Sequence, residues 1–476
     1  MKWHLCATFV LVIAGFSLHA QEISPALEAR MKELERRAAD ADLLARRVEE
    51  LEGKLAAEGG TGRELETLIS AKLADWTRGE AVTAARSQSL VFGGQFRLRA
   101  EYRNVGTYAT ANSRDTGDET VIQRTRLNVL AEPMDHIKVF LELQDSRTWG
   151  EEMGPLTDLE GVDLHQGYVV FEDFLSSGLT LLTGRYEMSL WNQRLISPMD
   201  WHPVARSFDG FVIMSDQKED FHWQLGYNTI NEDPRPSPGR DTRLIRGVLN
   251  YHGIEELKLG AAVLWRRARA AGVQISDWTA TLHGEGASGG FDYSFDLVGQ
   301  FGNRSGLDAN AFATAVTFGY TFEGDWSPRI GIEWTWASGD DDPTDGDSET
   351  FDPLFPFGHA YQGYLDLFSW RNGHDVALHL SAKPDADWKI TLSLHGFWLD
   401  TKNDAWYRAD LSPVRLSPGA DSKNVGYEVD LAVRHDLNDH IWIWFGYSHF
   451  FTGEFVEDSG DSPDTDWVWF QLTVGF

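Results

Sequence analysis

The last eleven residues, Asp466 to Phe476 (DWVWFQLTVGF), alternate between two faces of an extended chain. Val468, Phe470, Leu472, Val474 and Phe476 share one face; Trp467, Trp469, Gln471, Thr473 and Gly475 share the other. Two structures are compatible with this. One is a transmembrane strand with a lipid face and a wet lumen face, here ending on an aromatic residue. The other is the edge strand of a soluble sandwich. The membrane strand is favoured because the same pattern recurs from Leu90 onward.

Val91 to Asn104 sets Phe92, Phe96, Leu98, Ala100 and Tyr102 against Gln95, Arg97, Arg99, Glu101 and Arg103. Val121 to Leu130 sets Val121, Leu127 and Val129 against Arg124, Arg126 and Asn128. Further segments lie at 137–144, 162–171, 179–187, 208–214, 221–228, 243–251, 257–266, 275–285, 291–301, 311–321, 329–337, 375–382, 388–399, 425–434, 441–451 and 466–476. The count is about 18, an even number as single-chain barrels have. Connections alternate short (131–136, 172–178, 215–220, 252–256, 286–290, 383–387, 435–439) and long (104–120, 145–161, 188–207, 337–374, 400–424, 452–465). Outer-membrane barrels have short periplasmic turns and long outside loops, and a sandwich has no reason to sort them so. The predicted fold is all-β: a transmembrane antiparallel barrel over 90–476, preceded by a short periplasmic α-helical coiled coil.

Residues 1–20 read as a signal peptide, with Lys2, an apolar run from Leu5 to Phe16 and a small residue before Gln21. Residues 21–57 carry a heptad stripe (Leu27, Met31, Leu34, Ala38, Ala41, Ala45, Val48) that predicts a coiled-coil helix in the periplasm, with a homo-oligomer as one consequence and a lone amphipathic helix as the other. Residues 58–89 read as a linker with a weaker helix, opened by Gly59-Gly60-Thr61-Gly62. Cys6, the one cysteine, lies in the signal segment, so neither a disulfide nor a thiol is expected in the mature chain. Nothing after residue 20 is apolar enough for a spanning helix, yet a closed barrel can cross lipid without one. The formal charge of −31 speaks against nucleic acid as a partner. The partners expected are outer-membrane lipid and a solute in the lumen, and the expected location is the cell outer membrane.

Charge on the inward faces is uneven. Arginines dominate the early strands, and Asp292, Asp296, Glu333, Glu428 and Asp430 the later ones. A ladder of guanidinium forks can concentrate an anion in a lumen, or the same groups can fill it as salt bridges. Asp340, Asp342, Asp345, Asp347 and Glu349 crowd one long loop, and carboxylates so dense can bind Ca2+. The spacing does not fit an EF-hand, since Thr344 takes the third ligand position, and a solvated acidic loop is the preferred reading. No other cofactor is implied. Signatures of nucleophilic, zinc or phosphate-loop chemistry are missing, so an enzyme is not expected.

The stretch 181–213 carries Gly184-Arg185, then Arg194-Leu195-Ile196, Trp201, and Arg206 with Phe208-Asp209-Gly210 opening the next strand. Together with the arginine-rich strands around Arg97 and Arg124, and with 338–366 (Leu-Phe-Pro, then His-x-Tyr-x-Gly), it resembles the alginate-export family of outer-membrane porins. The resemblance covers roughly 90–476. It implies an 18-stranded barrel whose arginine-lined lumen passes an anionic polyuronate. Arg97, Arg99, Arg124, Arg126, Arg185, Arg194 and Arg206, with Asp209, would mark the substrate path. It further implies that outside and periplasmic segments fold into the pore, although the last periplasmic turn, 435–439, is short here. The function expected is thus a channel for anionic polysaccharide or oligosaccharide. The alternatives are an adhesion or structural protein linking barrel to cell wall, and a general small-solute porin.

Overall fold

The C-terminal strand lies antiparallel against the first one, Gln95 opposite Gly475 through Asn104 opposite Asp466, and this seam closes the sheet into a barrel. The computed structural model describes residues 89–104, 108, 117–150, 161–217, 219–231, 241–270 and 273–476. The signal-peptide, coiled-coil and linker readings fall outside the described residues.

Eighteen strands form the wall. They are β1 (Leu90–Asn104), β2 (Gly117–Met134), β3 (Ile137–Thr148), β4 (Asp163–Phe171), β5 (Thr180–Tyr186), β6 (Phe208–Met214), β7 (Phe221–Asn231), β8 (Asp241–Ile254) and β9 (Leu257–Ala270). The second half comprises β10 (Val273–Ser288), β11 (Phe291–Arg304), β12 (Leu307–Thr321), β13 (Arg329–Ala337), β14 (Gly373–Ala382), β15 (Trp388–Leu399), β16 (Asn424–Asn438), β17 (Ile441–Thr452) and β18 (Thr465–Gly475). Each pairs antiparallel with its neighbour in sequence, so the topology is a simple up-and-down meander. Every predicted segment falls on one of these strands.

Alternation produces the two faces. Along β13, Gly331, Glu333, Thr335 and Ala337 are buried, whereas Ile330, Ile332 and Trp334 are exposed. Around the wall, exposed positions include Leu225, Val263, Leu282, Leu297, Phe312, Phe445 and Phe470. An apolar exterior this extensive suits lipid and would aggregate in water.

The structure corrects the sequence reading in two respects. At the end of the long loops, the β11–β12 connection is a tight turn at Ser305-Gly306, and only two residues separate β9 from β10. Length there is spent on strand, since β10 has 16 residues and β11 has 14. The inner wall is also not uniformly polar. Val248, Ala262, Leu264, Val298, Ala311, Ala313 and Ala315 point inward from β8 to β12 and pack against Leu190, Leu195, Ile196, Phe351, Leu354 and Trp370 from two loops. Small inward alanines leave the room that those loop side chains fill. A second cluster (Leu365, Leu367, Phe368, Trp406, Phe455) packs against Phe397, Phe450, Trp467 and Trp469 of the later strands. The segment Glu454–Ser459, a short helix α1, sits in this cluster.

Because the seam from Gln95 to Asn104 is complete within the described strands, deleting residues 21–88 should leave a barrel that resists SDS until heated and stays predominantly β by circular dichroism. A truncated chain that fails to insert into lipid would place part of the fold before Ser89.

Candidate functional site

The connection between β5 and β6, residues 187–207, turns into the lumen instead of away from it. Its path is tight: Leu190 N donates to the Ile196 carbonyl at 3.0 Å, Met199 N to Ser197 Oγ at 2.8 Å, and Arg206 N to the Pro198 carbonyl at 2.6 Å. Trp191, Gln193, Met199 and Ala205 all have positive φ (44°, 69°, 50° and 65°), which non-glycine residues adopt only when the surroundings hold them there.

What holds the tip is arginine. Arg97 donates to the carbonyls of Asp200 (2.6 Å), Trp201 (3.3 Å) and His202 (3.0 Å). Arg99 donates to the Trp201 carbonyl at 2.9 Å, and Arg124 to that of Asp200 at 3.0 Å. The Asp200 carboxylate is shared by Arg124 (2.8 Å), Arg126 (3.2 Å) and Arg97 (3.9 Å). These four arginines are buried, while the Asp200 side chain remains 51% exposed to the lumen. The period-two spacing of β1 and β2 puts them together: Arg97 lies opposite Arg124, and Gln95 opposite Arg126.

Trp201 is seated in an aromatic cage. His359 stacks on it at 4.5 Å, Trp469, Trp444 and Trp467 meet it edge-on at 4.9, 5.3 and 6.0 Å, and the Arg99 guanidinium lies 4.1 Å from its ring centre.

A second inward loop, 338–372, pairs with the first. Ser197 N donates to the Phe355 carbonyl and Phe355 N to the Leu195 carbonyl, both at 2.9 Å. Arg206 joins the two by donating to the carbonyls of Phe355 (2.8 Å) and Pro356 (2.9 Å), and it has no acidic partner among the described residues. Burial pulls its pKa down to about 10. Arg194, fully inside, pairs with Glu333 at 2.7 Å and lies 3.7 Å over the Tyr361 ring. The loop is tied to the wall again where Arg266 bridges Asp277 and Asp352, both at 2.7 Å, and where Arg304 donates to the Thr350 carbonyl at 2.7 Å. Near the other end, Leu365 N donates to Glu428 at 2.8 Å. Gly363, at φ 80°, comes so close to that carboxylate that a Cβ would lie 2.6 Å from it.

The structure thus brings together Arg97, Arg99, Arg124, Arg126, Arg194 and Arg206, all around the two inward loops. Arg185 and Asp209 are elsewhere. They pair with each other (2.8 and 2.9 Å) on the face opposite to the inward Tyr186 and Phe208. The reading that put Arg185 in the lumen is corrected: β5 (TLLTGRY) lacks a clean alternation, and a one-residue slip flips the face. The acidic loop is held by its own turns, Asp342 accepting from Thr344 N and Asp345 from Asp347 N. Among the described residues, Glu142, His165 and Glu187 are the set of three ligand-type side chains within mutual reach. Arg126 already stands among them, 3.1 Å from His165 Nε2 and 3.2 Å from Glu187, and would repel a metal ion. Sequence reasoning missed Asp200, Glu142, Glu187 and the Trp201 cage. Glu142 and Gln144 alternate with exposed Leu141 and Leu143 and were findable, but backbone carbonyl acceptors leave no signature in side chains.

Below the loops the lumen keeps a polar cavity of about 420 Å³, lined by Arg329, Lys389, His379, His395, Thr391 and Tyr361 among others. Arg329 is bound there to Asp292, and Lys389 has no acidic partner among the described residues.

A family model described as alginate export matches residues 88–469. No curated protein matches the sequence. Among solved structures, the outer membrane protein OpdK from Pseudomonas aeruginosa superposes with a TM-score of 0.55 at 10% identity, covering 81% of this chain and 98% of that one. OccD3 (OpdP) of Pseudomonas aeruginosa gives 0.54 at 13%, covering 82% and 91%. Acinetobacter baumannii OccAB1 gives 0.53 at 11%, covering 81% and 96%. At these identities the likeness is one of fold.

The clamp has two testable consequences. Burial raises the carboxyls of Asp200 and Asp352, but neighbouring guanidinium groups outweigh it and hold both below their ordinary range: Arg124 and Arg126 for Asp200, Arg266 for Asp352. Groups with depressed values contribute fully above about pH 4 and lose their contribution only as the pH falls through the folded-state value. The difference in single-channel conductance between wild type and Asp200→Asn should therefore be constant from pH 7 to about 4 and close below that, as Asp200 is protonated; a step in that difference between pH 5 and 7 would contradict the assignment. Glu333→Ala leaves Arg194 buried beside only Asp296, 3.7 Å away. Breaking such a pair costs ~3–5 kcal/mol, so limited proteolysis should cut 187–207 much faster while the barrel keeps its resistance to SDS.

Proposed function

The chain belongs to the alginate-export family of outer-membrane proteins, and from that membership we propose a channel that passes an anionic saccharide, a uronate-bearing oligomer or polymer, over the arginine cluster that holds the 187–207 loop. The fold and family are those of outer-membrane channels. The substrate class is our inference.

One observation supports it above the rest. The cluster already holds a carboxylate: Asp200 sits between Arg97, Arg124 and Arg126 with half its side chain open to the lumen. A guanidinium fork that accepts one carboxylate accepts another. A uronate would displace Asp200 from part of the cluster, and Asp200 would return as the sugar moves on. The exchange keeps binding shallow, as conduction demands. Arg206, without an acid partner, and Lys389 in the cavity below add uncompensated positive charge along the same lumen.

A second reading, a channel for small anionic solutes, is favoured by the extent to which the loops fill the lumen, with Ile196 and Phe351 fully buried between loop and wall. Polymer and monomer distinguish the two: polyuronate blocks single-channel current under the first, whereas only monomeric uronate permeates under the second.

Asp200→Asn tests the cluster. It removes the resident carboxylate, so block by oligouronate should deepen by about tenfold, the worth of one charge-assisted contact, and anion selectivity should rise. Arg124→Glu with Arg126→Glu should move the reversal potential toward cations and also raise conductance, because the same side chains hold the loop. The effect should fade as salt shortens the Debye length from about 10 Å at 0.1 M to about 3 Å at 1 M. An unchanged reversal potential in the double variant would reduce these arginines to structural clamps.

A further inference from the structure

The outer wall carries three arginines that the lumen does not use. Arg243 on β8 and Arg267 and Arg269 on β9 are all exposed. Their neighbours Leu244 and Arg246, and Leu264 and Arg266, are buried inward, so the three point away from the lumen. Arg243 lies directly opposite Arg267, and Arg269 is two residues further along the same strand. Like charges directly opposite on one face destabilise a sheet unless something neutralises them. Asp241 lies opposite Arg269, but Arg243 and Arg267 have no acidic partner among the described residues. Their cross-strand neighbours on this face are Thr229 and Ser276, both neutral.

The adjoining rung explains the depth. Two residues toward the middle of the wall, about 6.6 Å along the strand, the same face presents Tyr227, Ile245, Trp265, Trp278 and Phe301 side by side on β7 to β11. Trp265 and Trp278 are 6.1 Å apart, and Tyr227 continues the row to Phe211 at 5.8 Å. Aromatic rows of this kind mark the boundary between acyl chains and headgroups. The arginines therefore sit one rung beyond that boundary, at the end of the barrel where the long loops are, which faces outward in an outer-membrane barrel. On the same rung Arg185 is neutralised by Asp209, which confines the unpaired charge to β8 and β9.

We propose that Arg243, Arg267 and Arg269 form a binding site for the phosphates of the phosphorylated glycolipid in the outer leaflet. Two forks on adjacent strands can each take a phosphate bidentately, while the acyl chains lie along Trp265, Trp278 and the apolar wall beneath. The occupant is a lipid rather than a free polyanion, because the groups stand on the wall above an aromatic row and not around the mouth of the lumen.

The test uses the full chain purified in detergent, with bis-phosphorylated lipid A as probe and intact-complex mass spectrometry as readout. Wild type should retain the lipid, and Arg243→Gln with Arg267→Gln should weaken retention by roughly 30-fold, two headgroup arginines' worth. Arg243→Lys with Arg267→Lys should fall between the two, since charge is retained and the bidentate fork is lost. Both variants should keep heat-modifiable migration in SDS and wild-type conductance, which separates this site from the lumen. Equal retention by the Gln variant, equal retention of dephosphorylated lipid A, displacement of the lipid by millimolar inorganic phosphate, or loss of oligouronate binding in place of lipid binding would each overturn the assignment.

Discussion

Backbone carbonyls inside a barrel need donors, and here arginine supplies them. A loop that enters the lumen displaces water from its own peptide groups, and every carbonyl it brings must find a donor. A guanidinium offers five N–H groups and no acceptor, so a few arginines can satisfy a whole loop tip. Arg97, Arg99 and Arg124 do this for the carbonyls of Asp200, Trp201 and His202. The arrangement depends on the register of β1 against β2, which sets Arg97 opposite Arg124. The other edge of β1 is held by the closing seam with β18. Wall, clamp and loop are one chain of consequences.

The opposite side of the barrel adds apolar packing to the contacts of Arg266 and Arg304. On β12 and at parts of β8, β9 and β11 the inward residues are alanine and branched aliphatics, with Ile196 and Phe351 fully buried in the same cluster, whereas β10 turns Asp277, Thr279, Thr281 and His283 inward. The two loops are therefore gripped by arginine donors and by apolar packing together. Truncating an apolar contact here would leave a cavity, whereas truncating an arginine would leave carbonyls without donors. Both are costly. Tryptophan serves the same division. Trp201 and Trp467 are buried inside the barrel, while Trp278 and Trp334 are exposed on its outside, so the high tryptophan content serves interior and membrane boundary alike.

The barrel was legible in the sequence because a strand with two different faces writes its period directly. All eighteen segments could be placed from alternation, and the inward placement of Arg97, Arg124, Asp296, Glu333 and Glu428 came with them. Arg185 was placed on the wrong face because β5 carries no alternation to set its phase. Asp200 escaped for a different reason. It lies in a loop, where no period applies, and its role arises from arginines more than seventy residues away in sequence. Its partners were visible and their target was not.

The acidic balance of the whole chain and the arginines of the lumen are compatible because they occupy different surfaces. The net charge of −31 includes many exposed acids, such as Asp341, Asp342, Asp345 and Asp385 on loops and turns and Asp458 on α1. Water and salt screen those charges within about 8 Å at physiological ionic strength. Inside the lumen, low-dielectric walls focus the field of the nearest fixed charges, so Arg206 and Lys389 weigh more there than many exposed carboxylates outside. Within that space, several acids stand beside cations: Asp200 by Arg124, Glu333 by Arg194, Asp352 by Arg266. Each such acid lowers the cost of burying its arginine and also weakens that arginine's hold on a passing anion. A ladder of bare guanidinium groups would trap a polyanion, and a fully neutralised one would ignore it. Asp200, anchored at its backbone but half open at its carboxylate, stands between these limits.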